Sequence, residues 1–288
     1  MIAQLVVALY RFWHGRCHLK GGGYFLKKCS EFLPGLQNYP LQIEGLGTVP
    51  VDFRDSSGFV WLNHLLGEKL DTKVMEQGLF HALDRVLKEE DVFWDVGANI
   101  GTISVHVVTR HRHVRIFAFE PNPRLFNSIS VLFARQPLVK VFPFALSDRD
   151  SDLLLSIPKG SSLGASVEGI DYVLQTSQIQ KKDVDQVRVQ AFKGDSLMET
   201  QSGLLPPNVL KIDVEGHESA VLKGIAKTIL KNRPVIFFEH LYLSDEVVTS
   251  LVPQGYSLRS VDGESGELTP AFDRSVGHNS VLLPVAKD

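Results

Sequence analysis

The chain has 288 residues, 44% hydrophobic and 22% charged, which excludes disordered, collagenous and coiled-coil classes. Its formal net charge of −3, from 30 basic and 33 acidic residues, gives no sign of a general nucleic-acid binder. Two cysteines, Cys17 and Cys29, are too few for a disulfide framework and fit a reducing, cytoplasmic setting.

The opening MIAQLVVALY is apolar, but its charges follow instead of preceding it and no small-residue cleavage pattern comes after, so a signal peptide is not expected. No apolar run reaches the roughly 20 residues that span a bilayer. Ile2, Leu5, Val6, Leu9 and Trp13 fall at helical spacing, and Arg11, Arg16, Lys20, Lys27 and Lys28 precede the first acid, Glu31. The plain reading is a helix packed on its own domain or on a partner subunit. A basic helix lying on an anionic membrane surface is the second reading. Gly21–Gly23 should end or bend that segment. Residues 41–62 read as a small β-meander and 73–88 as a helix. A preamble over 1–72 is therefore set apart from a domain over 73–288.

From residue 91, strands alternate with helices. VFWDV, VRIFAF, VKVFPFAL, NVLKIDV, PVIFFEH, GYSLRSV and NSVLLP are the seven expected strands. Helices are expected to Arg110, over Pro123–Arg135, over Glu218–Leu230 and over 245–252. This rhythm predicts an α/β fold, a mostly parallel sheet with helices on both faces. The last strand is free to insert antiparallel after the GESGE turn. Residues 158–186 are polar and Gly/Ser-rich, and lie between DLLLSI and VRVQAF. They read either as a mobile cover over a site or as a plain excursion.

Three stretches carry chemistry. Asp95-Val-Gly-Ala-Asn-Ile-Gly101 is a strand, a tight turn and a helix start. Glycine there lets a backbone turn sharply or approach a ligand, and Asn99 tolerates a left-handed conformation. A dinucleotide fingerprint would need glycine at 97, 99 and 102, where this chain has Gly97, Asn99 and Thr102. That argues against a nicotinamide oxidoreductase and suits a ligand with ribose and adenine but no pyrophosphate. Glu120, in Phe119-Glu-Pro-Asn122 at the end of the second strand, is positioned to accept both hydroxyls of a ribose. Lys211-Ile-Asp-Val-Glu-Gly-His-Glu218 crowds Lys211, Asp213, Glu215 and His217 at the end of the fourth strand, where alternation puts the first three on one face if the strand lasts that far. Two carboxylates and an imidazole there suit general-base work, or a divalent cation, although no dense metal-ligand motif is present. Glu218 reads as a helix-start charge.

Together with Ala145-Leu-Ser-Asp148, these stretches resemble the FkbM family of S-adenosylmethionine-dependent methyltransferases, in the family's order and spacing over about 76–288. The resemblance implies a Rossmann-like class I methyltransferase fold with a seven-stranded sheet. It also implies O-methylation of a small-molecule or glycan acceptor, such as a sugar or polyketide hydroxyl, yielding S-adenosylhomocysteine. It assigns Asp95, Gly97, Asn99 and Gly101 to the methionine part of the cofactor, and Glu120, followed by Pro121, to the ribose. Ala145 and Leu146 would border the adenine. Asp213 would face the methionine amino group or the reacting methyl, and Glu215, His217 and His240 the acceptor. Among these, His217 is the favoured base, with Asp213 or Glu215 orienting it or the substrate. A non-catalytic module retaining the cofactor fold is the alternative.

Overall fold

The computed structural model describes residues 4, 7–8, 22–43, 46–55, 77–161, 164–177 and 180–285. Of the opening helix, only Gln4, Val7 and Ala8 are described, all helical; the rest of that expectation lies outside the described residues, as do residues 56–76. Helix α1 (Gly22–Phe32) begins within the glycine run and leads to an antiparallel hairpin, β1 (Tyr39–Ile43) and β2 (Gly47–Val51). This hairpin is the first part of the expected meander. Leu41, Val51 and Phe53 pack in one cluster with Ile129, Leu132 and Phe133. The hairpin thus packs against residues 129–133.

After α2 (Gln77–Val86), the main sheet is built from β3 (Val92–Val96), β4 (Arg115–Phe119), β5 (Val139–Phe142), β9 (Val209–Ile212), β10 (Val235–Glu239), β11 (Tyr256–Val261) and β12 (Asn279–Pro284). Their spatial order is β11-β12-β10-β9-β3-β4-β5. All pairs are parallel except those of β12, which inserts antiparallel between β10 and β11. Side chains alternate between two buried faces. Phe93 and Phe237 pack with Leu79, Leu83, Ile103 and Val107 from α2 and α3 (Thr102–Arg110). Trp94 and Phe238 face the opposite cluster with Val221, Ile225 and Ile229. Burying such a side chain contributes about 1.5–3 kcal/mol, so continuous apolar strands are what a two-sided sheet requires.

Helix α4 (Pro123–Phe133) starts on a side-chain cap: Asn122 accepts from the Arg124 N–H, with proline in the first turn. Two expected elements are divided. VKVFPFAL ends as β5 at Phe142, and β6 (Ala145–Leu146) belongs to a second sheet, pairing with β8 (Val184–Phe192). Pro143 stands at the break and has no N–H for a ladder. The helix expected from Glu218 breaks at Ile225 into α7 (Glu218–Gly224) and α8 (Ala226–Asn232).

The expected long loop is also corrected. β7 (Ser151–Pro158) runs to its start and pairs antiparallel with β8. Ser166 bridges back to Ser156, and residues Ile170–Ser177 form helix α5. Helix α6 (Gly194–Thr200) follows β8, and α9 (Asp245–Ser250) lies between β10 and β11.

Candidate active site at the sheet's switch point

The chain steps from β3 to β4 and β5 on one side, then crosses to β9 on the other. The carboxyl ends of β3, β4 and β9 therefore border a crevice at the topological switch point, where open α/β sheets bind ligands. A cleft open to solvent lies there. Gly97, Asn99, Glu120 and Pro121 line one part; Phe119, Leu125, Ala145, Leu146 and Leu155 supply apolar walls; Asp213, Glu215 and His217 close another side.

The first turn is held by two amides, Gly97 and Ala98, both donating to the Phe119 carbonyl at 3.0 Å. Gly97 and Asn99 have φ of 77° and 53°. The reason for Gly97 differs from the expected one. A Cβ there would meet the Asp213 carbonyl oxygen at 1.8 Å, so glycine is demanded by the neighbouring backbone before any ligand arrives. Asp95 and Gly101 stand behind the cleft wall. Asp95 is wholly buried, accepts from Ser104 Oγ at 2.6 Å and faces Lys211 Nζ at 3.8 Å. Burial raises its carboxyl above the usual range, with Lys211 opposing. Gly101 caps α3 with φ 88°.

Glu120 is 5% exposed. Its Oε2 accepts from the Asn99 amide at 2.7 Å and its Oε1 from the Asn122 amide at 2.8 Å. Burial pushes its carboxyl up to about 7 against those two hydrogen bonds. The same carboxylate thus ties the first turn to the second, and it lines the cleft.

β9 ends at Ile212, so strand alternation does not carry Glu215. A left-handed turn brings it in instead, with φ 52° at Glu215 and 98° at Gly216. Lys211 Nζ donates to Asp213 Oδ2 at 3.0 Å. Carboxylate oxygens of Asp213, Glu215 and Glu239 come within 4.8 Å of one another. Burial, followed by the charges of Asp213 and Glu218, pushes Glu215 up to about 7. Glu218 is buried and accepts from the Val214 and Gly216 amides at 3.3 Å, so it braces this turn as well as starting a helix. Burial likewise pushes it up to about 7.

His217 lines the cleft with both ring nitrogens engaged: Nε2 lies 2.9 Å from Ser147 Oγ, and Nδ1 lies against Glu168 Oε1. His240 does not line it. Its ring is buried, with Nδ1 at Ser280 Oγ, and burial lowers it to about 4, so its expected place facing the acceptor is not supported.

Sequence reasoning missed Glu168, Ser166 and Tyr172. The Ser166 hydroxyl donates to the Glu215 carbonyl at 2.6 Å, and a Cβ on Gly216 would meet the Tyr172 ring at 2.8 Å. The only signal available was the polar stretch itself. Ser147 was already inside a quoted motif.

The methyltransferase FkbM domain matches over residues 95–259. The chain is 33% identical over 184 residues to a hexuronic acid methyltransferase of Haloferax volcanii, covering 62% of this chain and 68% of that one. It is 25% identical over 205 residues to a 2-O-methyltransferase of Sinorhizobium fredii, covering 68% and 80%. The crystal structure of a methyltransferase FkbM from Methylobacillus flagellatus matches at TM-score 0.44 and 13% identity, over 78% of this chain and about half (53%) of that one. With the domain match spanning the switch-point turn, Glu120 and the Asp213–Glu218 loop, the chain belongs to the FkbM methyltransferase family.

Proposed function

We propose that the chain O-methylates a hydroxyl of a sugar or glycan, using S-adenosylmethionine as donor. The observation that carries this reading is one cleft with a buried carboxylate at a strand end and a carboxylate–imidazole group across from it. The name of the Sinorhizobium relative, a 2-O-methyltransferase, supports a hydroxyl acceptor, and that of the Haloferax relative, a hexuronic acid methyltransferase, supports a sugar.

The residues present fit the cofactor. Asn99 Oδ1 is buried with no partner among the described residues, a polar atom left for a ligand to satisfy. Each Glu120 oxygen accepts one amide and keeps a lone pair for a ribose hydroxyl. Phe119, Leu125, Ala145 and Leu146 offer an apolar slot for a flat base. Gly97, Asn99 and Asp213 would border the methionine part. When bound, S-adenosylmethionine supplies an electrophilic methyl group. The chain's own residues then orient the acceptor oxygen, exclude water and take its proton, and a positioned base contributes typically about 10²–10⁴-fold. His217 fills that role in this reading, with Glu215 and Asp213 orienting the acceptor.

The test is incubation with methyl-labelled donor and a panel of neutral sugars, uronic acids and hydroxylated polyketides, with and without chelator. Label on a sugar oxygen supports the reading. Cofactor binding without transfer to any acceptor indicates a binding module. Activity lost to chelator and restored by a divalent cation assigns hydroxyl activation to an ion held by Asp213, Glu215 and Glu239.

A further inference from the structure

We infer that Glu168 is a positioning residue for the transfer: it holds His217 as the Nδ1–H tautomer, so that Nε2 is the nitrogen that receives the acceptor's proton. The inference rests on the hydroxyl-methylating reading above. Neither residue type nor spacing points to Glu168, which lies 49 residues before His217 in sequence.

The argument starts from acceptor chemistry. A carboxylate only accepts hydrogen bonds, so the ring nitrogen lying against Glu168 Oε1 must carry the proton. A neutral imidazole then has its lone pair on Nε2. In the structure that lone pair is met by the Ser147 hydroxyl at 2.9 Å. Ser147 is fixed, its own amide donating to the Phe192 carbonyl at 2.9 Å. Its side chain is buried and not part of the cleft lining, whereas His217 is part of it. Ser147 Oγ also lies 3.4 Å from Asp148 Oδ1, so the hydroxyl can turn its proton to that carboxylate and release the Nε2 lone pair when an acceptor hydroxyl reaches the ring from the cleft side. On transfer, the hydroxyl proton moves to Nε2, the oxygen keeps the electron pair, and the imidazolium formed is paired with the Glu168 carboxylate.

Glu168 is itself held. Its amide donates to Ser166 Oγ at 3.1 Å, and that hydroxyl donates onward to the Glu215 carbonyl, two residues before His217. The stretch that supplies the orienting carboxylate is thus fastened to the loop that supplies the base. An acid, an imidazole and a group to be deprotonated in line is a recurring device for fixing a histidine's tautomer and stabilising its charged form. Here the acid comes from the insertion between β7 and β8, outside the strand-and-turn motifs.

The experiment uses Glu168→Met, which keeps length but accepts no strong hydrogen bond, and Glu168→Gln, whose amide oxygen still accepts from Nδ1–H. Glu168→Ala replaces the first variant if it does not fold. Nitrogen-15 NMR of histidine-labelled protein, with His217 identified by its loss in His217→Ala, reads the tautomer. Steady-state kinetics separate kcat from KM. Wild type should show Nδ1–H. Glu168→Met should populate the other tautomer and lose about tenfold or more in kcat, with cofactor KM changed little. Glu168→Gln should keep the tautomer and recover part of the rate. An unchanged tautomer in Glu168→Met, or kcat within twofold of an active wild type, overturns the inference alone. A wild type that methylates no hydroxyl overturns the functional reading and the inference with it.

Discussion

Cofactor affinity should weaken as pH falls, and Glu120 should be the cause. Its carboxyl is pushed by burial from 4.5 to about 7, although two amides donate to it. Only the ionised form offers both oxygens to a ribose, since protonation turns one of them into a donor. If binding requires that form, Kd scales with one plus ten to the power of the carboxyl's value minus pH. With a value about 7, binding is about tenfold weaker at pH 6 than at pH 8, or about 1.4 kcal/mol. Glu120→Gln keeps the shape but sets an NH2 group against the Asn99 or Asn122 amide, donor against donor. Two hydrogen bonds to a charged group, at roughly 1.5–3 kcal/mol each and less where water substitutes, give a loss of about 2–4 kcal/mol, or roughly 30- to 1000-fold. Calorimetry with S-adenosylhomocysteine at pH 6, 7 and 8, in buffers of different ionisation enthalpy, reads both affinity and proton release. Glu215 and Glu218 also lie near 7, so any slope that survives in Glu120→Gln belongs to them. Wild-type affinity that is flat from pH 6 to 8, or a variant that binds as tightly as wild type, refutes the ribose assignment.

Gly97→Ala should destabilise the fold by about 1–3 kcal/mol or more before any ligand is added, because its Cβ meets the Asp213 carbonyl at 1.8 Å and its φ is 77°; a melting temperature equal to wild type would contradict this. Folding raises Glu120, Glu215 and Glu218 from 4.5 to about 7. The native state therefore binds the extra protons, and these groups should make the unliganded protein lose stability as pH rises from about 4.5 through 7, by about 3 kcal/mol for Glu120 at about 1.4 per pH unit. Denaturant midpoints of wild type and Glu120→Gln across that window test it, and equal slopes count against Glu120. Hydrogen exchange in 164–177 should slow when donor and acceptor bind, since this stretch lines the cleft and bonds the Glu215–His217 loop; exchange indifferent to both ligands would reduce it to a passive cover.

What the sequence disclosed follows the range of each interaction. The seven strands were legible because a sheet buried on both faces needs apolar runs such as VFWDV and PVIFFEH, and each run reports only on itself. Glu120 and the Asn99 turn were legible for the same reason, since strand end, acid and turn chemistry are local. Two departures from expectation involve distant partners. The helix break at Ile225 follows Gly224, where a Cβ would meet the Ser147 carbonyl at 1.9 Å. The demand for glycine at 97 is set by a carbonyl at 213.

The proposed base shows the same limit more sharply. His217 stands out in the sequence because a histidine beyond a strand end has suitable chemistry. Which of its nitrogens carries the proton depends on Ser147 and Glu168, 70 and 49 residues away. Ser166 fastens the stretch that carries Glu168 both to the Glu215 carbonyl and to Ser156. A motif can therefore name a candidate base, while the protonation of its two nitrogens is set by contacts with a segment whose sequence carries no motif. Substitution of Glu168 should accordingly lower kcat more than it changes the donor KM, as steady-state kinetics would read.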